Sequence, residues 1–207
     1  PNPLPRLVYN RPVYLAQNFL HNYVEYFSPQ FLFFEGGTQY QFSVPHHGLL
    51  LLPSLPFFYI GLVSCALLAI RKKEKSYKLL LAWLLLAPLP ASITTEHFAV
   101  VRATTMLPLP EIFVAIGLFS VLPFLKRKFR VSSNIALLGF IILSLVACLY
   151  YLTIYFSTYR TNYSWAWQFG YKEAVTYAKE NYTKYDKVII TKKYGEPHEY
   201  VLFYWPW

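Results

Sequence analysis

Apolar residues in this chain gather into four long blocks, at 48–70, 79–93, 107–125 and 135–156. Each approaches the length that crosses a bilayer, about 20 residues at about 1.5 Å of rise apiece. The first carries Pro53 and Pro56, which a spanning helix tolerates when neighbours cover the freed backbone groups. The second carries Pro88 and Pro90, so its end is predicted to be irregular. Ahead of the blocks, Ala16, Phe19, Leu20, Tyr23, Val24 and Phe27 follow i, i+3, i+4 spacing, while Gln17, Asn18, His21, Asn22 and Glu25 fall on the other side. With Asn10 and Pro12 as a start signal, residues 10–27 are predicted to form an amphipathic helix lying in the membrane interface. Ser28-Pro29 closes it, Phe31 to Phe34 is too short a run to span, and Glu35-Gly36-Gly37 reads as a turn.

Behind the fourth block, Tyr163, Trp165, Trp167 and Phe169 form an aromatic cluster suited to a membrane surface. Residues 170–182 read as a helix, and 187–191 and 200–204 as strands joined through Gly195-Glu196-Pro197. The expected fold is a mainly α-helical integral membrane protein. Four transmembrane helices carry an amphipathic interfacial helix and a small outward α+β tail. The corresponding divisions are 1–47, 48–156 and 157–207.

Composition supports the same class. Only 14% of residues are charged and 56% are hydrophobic, against roughly 25% charged in soluble domains. An aromatic content of 20% excludes disorder. The net charge of +9 is concentrated where two blocks end: five Lys or Arg lie in 71–78 and four in 126–130, against Arg102 alone in 94–106. Short cytoplasmic loops carry the excess of Lys and Arg, which predicts that residues 1–47, the 94–106 loop and the tail after 156 face outward. The basic runs abut spans and are read as contacts to lipid headgroups, with no nucleic-acid partner. Cys65 and Cys148 lie inside apolar runs and read as inert thiols. The opening Pro1-Asn2-Pro3 shows no signal-peptide pattern and reads as the start of a fragment.

Motifs for soluble chemistry are missing: there is no Gly-rich phosphate loop, no His-Glu-x-x-His and no Gly-x-Ser-x-Gly. Asn162-Tyr163-Ser164 and Asn181-Tyr182-Thr183 match the N-glycosylation sequon.

The stretch from Tyr26 to Gly37, FSPQFLFFEGG at its heart, and the following Val44-Pro45-His46-His47-Gly48-Leu49-Leu50 resemble a loop-to-span junction of large polytopic glycosyltransferases. These are the protein O-mannosyltransferase and aminoarabinose transferase family of glycosyltransferase superfamily C. Trp83 to Ala91 followed by Thr94, Thr95 and Arg102 resembles the family's next span and outer loop, and Trp167 to Lys172 resembles the outward C-terminal segment of bacterial members. Members often carry an acidic residue where Gly37 stands and a basic-His pair where Gln41-Phe42 stands. They also show a His three residues before the outer-loop Arg. Here His97 precedes Arg102 by five, so His97 is assigned no role.

The resemblance implies transfer of a sugar from a polyprenyl-phosphate carrier to an acceptor on the extracytoplasmic face of a bacterial or archaeal plasma membrane. It also implies that the catalytic carboxylate belongs to a first outward loop upstream of this segment, which alone is then inactive. Such chemistry needs cations and hydrogen-bond donors to steady the leaving phosphate. Arg102 is the first candidate, since a guanidinium suits bidentate phosphate contact. Glu96 would orient Arg102 or accept from a sugar hydroxyl, and His46, His47 and Tyr40 would rim the same pocket. No metal and no cofactor is expected, adjacent histidines such as His46 and His47 ordinarily pointing apart. The alternative is a non-enzymatic polytopic protein, a transporter or flippase component. Transport paths place ionisable groups at mid-span, whereas here the nearest case is Glu111, at the start of the third run.

Overall fold

A computed structural model describes residues 10–94, 96–193 and 195–206. Pro1 to Pro3, Thr95 and Trp207 therefore lie outside the described residues. The chain is mainly helical, and no strand occurs among the described residues. It divides into two units, 1–153 and 154–207.

In the first unit, Asn10 begins α1 (Arg11–Glu25) by accepting the Val13 N–H on its side-chain oxygen at 2.9 Å, with Pro12 in the first turn. After a π-helical turn over Gln30–Glu35 come α2 (Leu55–Arg71), α3 (Lys75–Leu86), the single turns α4 (Leu89–Ser92) and α5 (Val100–Ala103), then α6 (Leu109–Phe129) and α7 (Ser133–Ile154). Three helical runs are long and apolar enough to cross a membrane: Leu52–Arg71, Leu109–Phe129 and Ser133–Asn162.

The second predicted span differs from expectation. It is a helix of 12 residues, α3, followed by a turn and the four-residue α4. Pro88 has no N–H to donate and its ring crowds the carbonyl four residues back, so the helix stops at Leu86. In α1, Leu20 and Val24 are exposed, and on the polar side Asn22 donates to the Thr94 carbonyl at 3.1 Å while Glu25 bonds His97. Polar contacts hold this helix to the loop after α4.

The core lies between α2 and α6, whose backbones meet at Gly61 and Gly117. A Cβ on Gly61 would fall 1.8 Å from the Phe113 carbonyl oxygen, and one on Gly117 1.8 Å from that of Phe57. Small residues at the crossing permit this approach, which is a recurrent way of packing helices in membranes. Phe58 and Phe113 are fully buried beside it.

The two helices run in the same direction. Leu49 and Leu50, just before α2, share a small cavity with Pro110 and Glu111, at the start of α6. Residues 72–108 therefore return the length of the bundle, and the two basic runs, 71–78 and 126–130, fall at its opposite end. α7 runs the other way: Phe57 packs on Phe140 at 5.2 Å, while His47 lies against Tyr150 and Tyr151 near the far end of α7. None of the most apolar stretch of that helix is buried.

The second unit contains α8 (Tyr171–Glu180) and α9 (Pro197–Tyr204). They pack through Tyr171 stacked on Tyr200, centroids 4.6 Å apart, with Val175 fully buried. The expected strands do not occur: 187–191 has no regular secondary structure, and 200–204 is helical. Pro197 at the first helical position and Glu199 in the first turn start α9, and Tyr200 stacks on Tyr204 one turn on. Those local helix signals outweigh the β preference of Tyr, Val and Phe. An isolated pair of strands would gain little against them.

Candidate functional site

The loop after α4 is short, and its shape follows from Pro88 and Pro90. They end α3 early and leave Ile93 to Ala99 as connector before the single turn of α5, which carries Arg102. Arg102 donates from Nη1 to Glu96 Oε2 at 2.7 Å, with the two side chains 49% and 21% exposed. The other oxygen, Glu96 Oε1, is buried and has no partner among the described residues. A buried carboxylate oxygen without a donor is costly, about 1–3 kcal/mol or more. The guanidinium fork carries four further N–H groups. Among the described residues, the pair thus has one acceptor and several donors without a hydrogen bond.

A second polar contact ties α1 to the same loop. His97 Nε2 stands 2.6 Å from Glu25 Oε2, and His21 Nε2 stands 3.4 Å from Glu25 Oε1. Thr38 donates its hydroxyl to the His97 carbonyl at 2.7 Å. Tyr26, fully buried at the end of α1, accepts the Ala99 N–H on its hydroxyl at 3.0 Å. Burial pushes the Tyr26 phenol above its ordinary value of 10.0; the Ala99 bond and Arg102 oppose the shift, while Glu96 and Glu25 add to it.

Between the two contacts, Phe98 adopts φ +52°, a left-handed conformation that is rare for a bulky residue. It turns the aromatic ring into the core, 5.1 Å from Phe31, while His97 and Arg102 stay partly exposed. Strain of this kind persists where the surroundings over-determine it, and it clusters at sites.

Of the residues singled out from sequence, the structure brings Glu96 and Arg102 together. His46 is exposed with φ +60°. His47 bonds the Pro45 carbonyl through Nδ1 at 3.1 Å and turns its ring to α7. Among the described residues no hydrogen bond or ion pair joins either histidine to Glu96 or Arg102. Tyr40 is half-buried in the same 36–48 loop. That loop touches the 98–100 segment closely: a Cβ on Gly37 would fall 2.2 Å from Val100 Cγ2.

Sequence reasoning missed Glu25, Tyr26 and His97. The only cue was Glu25 interrupting an otherwise uncharged stretch beside Tyr26. No cluster of three or more His, Cys, Asp or Glu is arranged to hold a metal among the described residues. Compared with known proteins, the chain matches no family model, no curated protein and no solved structure.

Proposed function

We propose that this chain is part of a membrane glycosyltransferase that moves a sugar from a polyprenyl-phosphate carrier to an acceptor at the extracytoplasmic face. In this reading Arg102 holds the carrier phosphate and Glu96 orients it. The chain crosses the membrane four times, the broken α3–α4 pair making the second crossing, and the end bearing 94–106 faces outward. The supporting observation is the 2.7 Å Glu96–Arg102 pair, half-exposed at the end of the bundle opposite the basic runs. A guanidinium that gives one N–H to a carboxylate keeps its remaining donors for a bidentate phosphate. The parallel course of α2 and α6 supports a returning segment, and so an odd number of crossings, between them. The resemblance supplies the substrate class, and the catalytic carboxylate lies outside this segment.

The test is binding of a polyprenyl phosphate to the chain in nanodiscs. Losing a charge-assisted pair costs about 1.5–3 kcal/mol, so Arg102→Ala should weaken binding roughly ten- to hundredfold, with Arg102→Lys in between. Equal affinity for wild type and Arg102→Ala would remove Arg102 from the site.

A further inference from the structure

α1 together with Ser92, Ile93, Thr94 and His97 lines a groove of about 610 Å³, within the range of small-molecule sites. Its wall has a definite chemical character. Among the described residues that line it none is Lys, Arg, Asp or Glu, so an anionic ligand finds no fixed counter-charge there. A purely apolar ligand would strand Asn18, Asn22, Thr94 and His97, which all line the groove. Much donor capacity there is already spent inward. Asn22 gives an amide hydrogen to the Thr94 carbonyl, and Thr94 gives its hydroxyl to the Ala91 carbonyl. Acceptor capacity remains, on Asn22 Oδ1 and Thr94 Oγ1. His97 is held through Nε2 by Glu25, and its Nδ1 has no hydrogen bond among the described residues. Tyr14 and Phe19 add ring surface. Hydroxyl donors on an apolar ring face satisfy all of these groups at once.

We propose that this groove binds a neutral, hydroxyl-rich sugar, with His97, oriented by Glu25, as its central hydrogen-bonding group. The proposal deepens the reading above, on which its place in a reaction rests, by seating a sugar apart from the phosphate at Arg102. The positive φ of Phe98 is what lets His97 face the groove while the next side chain enters the core. Glu25 is here a positioning residue, and His97 the group that meets the ligand.

The experiment uses saturation-transfer NMR on the full chain in nanodiscs, with methyl glycosides of common hexoses and pentoses as probes and empty nanodiscs as reference. Transfer to at least one glycoside is expected in wild type. Asn18→Leu, which fills the groove from an exposed position of α1, should lower it about tenfold, the worth of roughly one hydrogen bond. His97→Ala should do the same, and because that change also removes a contact that holds α1 to the loop, Asn18→Leu carries the decision. No transfer above empty nanodiscs, or equal transfer in wild type and Asn18→Leu, overturns the groove. Polyprenyl phosphate titrated into the same samples separates the two ideas. Phosphate binding without glycoside transfer overturns the groove alone. Glycoside transfer without phosphate binding supports the groove and overturns the carrier reading.

Discussion

Replacing Gly61 by Ala probes the α2–α6 crossing directly. The added methyl would sit 1.8 Å from the Phe113 carbonyl oxygen and 2.9 Å from the Gly117 nitrogen, where ordinary contact begins at 3.4 Å. Both obstacles are backbone, so no side chain can swing away. The helices must separate locally by roughly 1.6 Å, and overpacking of this kind typically costs about 1–3 kcal/mol. Opening the crossing also weakens Cα–H···O contacts, about 0.5–1 kcal/mol each, that such closeness permits. A loss of about 2 kcal/mol is expected. Gly117→Ala meets the Phe57 carbonyl at the same 1.8 Å and should cost a similar amount. The two changes force one and the same opening, so the double variant should lose clearly less than the sum, a coupling of about 1 kcal/mol or more. Gly139→Ala is the control: nothing lies within 4 Å of that Cβ, and stability should hold or rise slightly through helix propensity. Reversible unfolding in mixed micelles, or steric trapping, measures all four. Additive losses, or a Gly61→Ala variant as stable as Gly139→Ala, would refute the close crossing.

Two further outcomes follow from α1. Removing the Tyr26 hydroxyl in Tyr26→Phe leaves the Ala99 N–H without its acceptor and should destabilise by about 1–3 kcal/mol. Because the native phenol sits above 10.0, its contribution is full below pH 10 and is lost as pH rises through the folded value, so the two proteins should converge in alkaline unfolding curves; a constant gap would contradict this. Asn10→Ala removes the acceptor for Val13 N–H and should cost about 1 kcal/mol, seen as faster amide exchange in the first turn of α1, whereas Asn10→Asp should retain protection.

Some of this architecture was legible in the amino-acid pattern. The start of α1 was marked by Asn10 and Pro12, and three long apolar runs became long helices, because both signals are local. Pro88 and Pro90 announced an irregular end, but the apolar run through 79–93 hid the break at Leu86, since hydrophobicity does not register a lost backbone bond. Glu96 and Arg102, six residues apart on one loop, could be paired by inspection. Glu25 and His97 could not: 72 residues separate them, and helical periodicity assigns a carboxylate to the solvent side whatever the rest of the chain brings against it. The tail shows the opposite error, where β-prone residues at 200–204 were read without weighing Pro197 and the i, i+4 tyrosines.

The whole account requires the 94–106 loop and the basic runs to lie on opposite sides of a bilayer. Single cysteines at Val101 and Ser76, both exposed, test this in a chain lacking Cys65 and Cys148, with an impermeant maleimide on sealed right-side-out vesicles. Position 101 should react at once and position 76 only after lysis. Labelling of position 76 in intact vesicles with protection of position 101 would contradict the account.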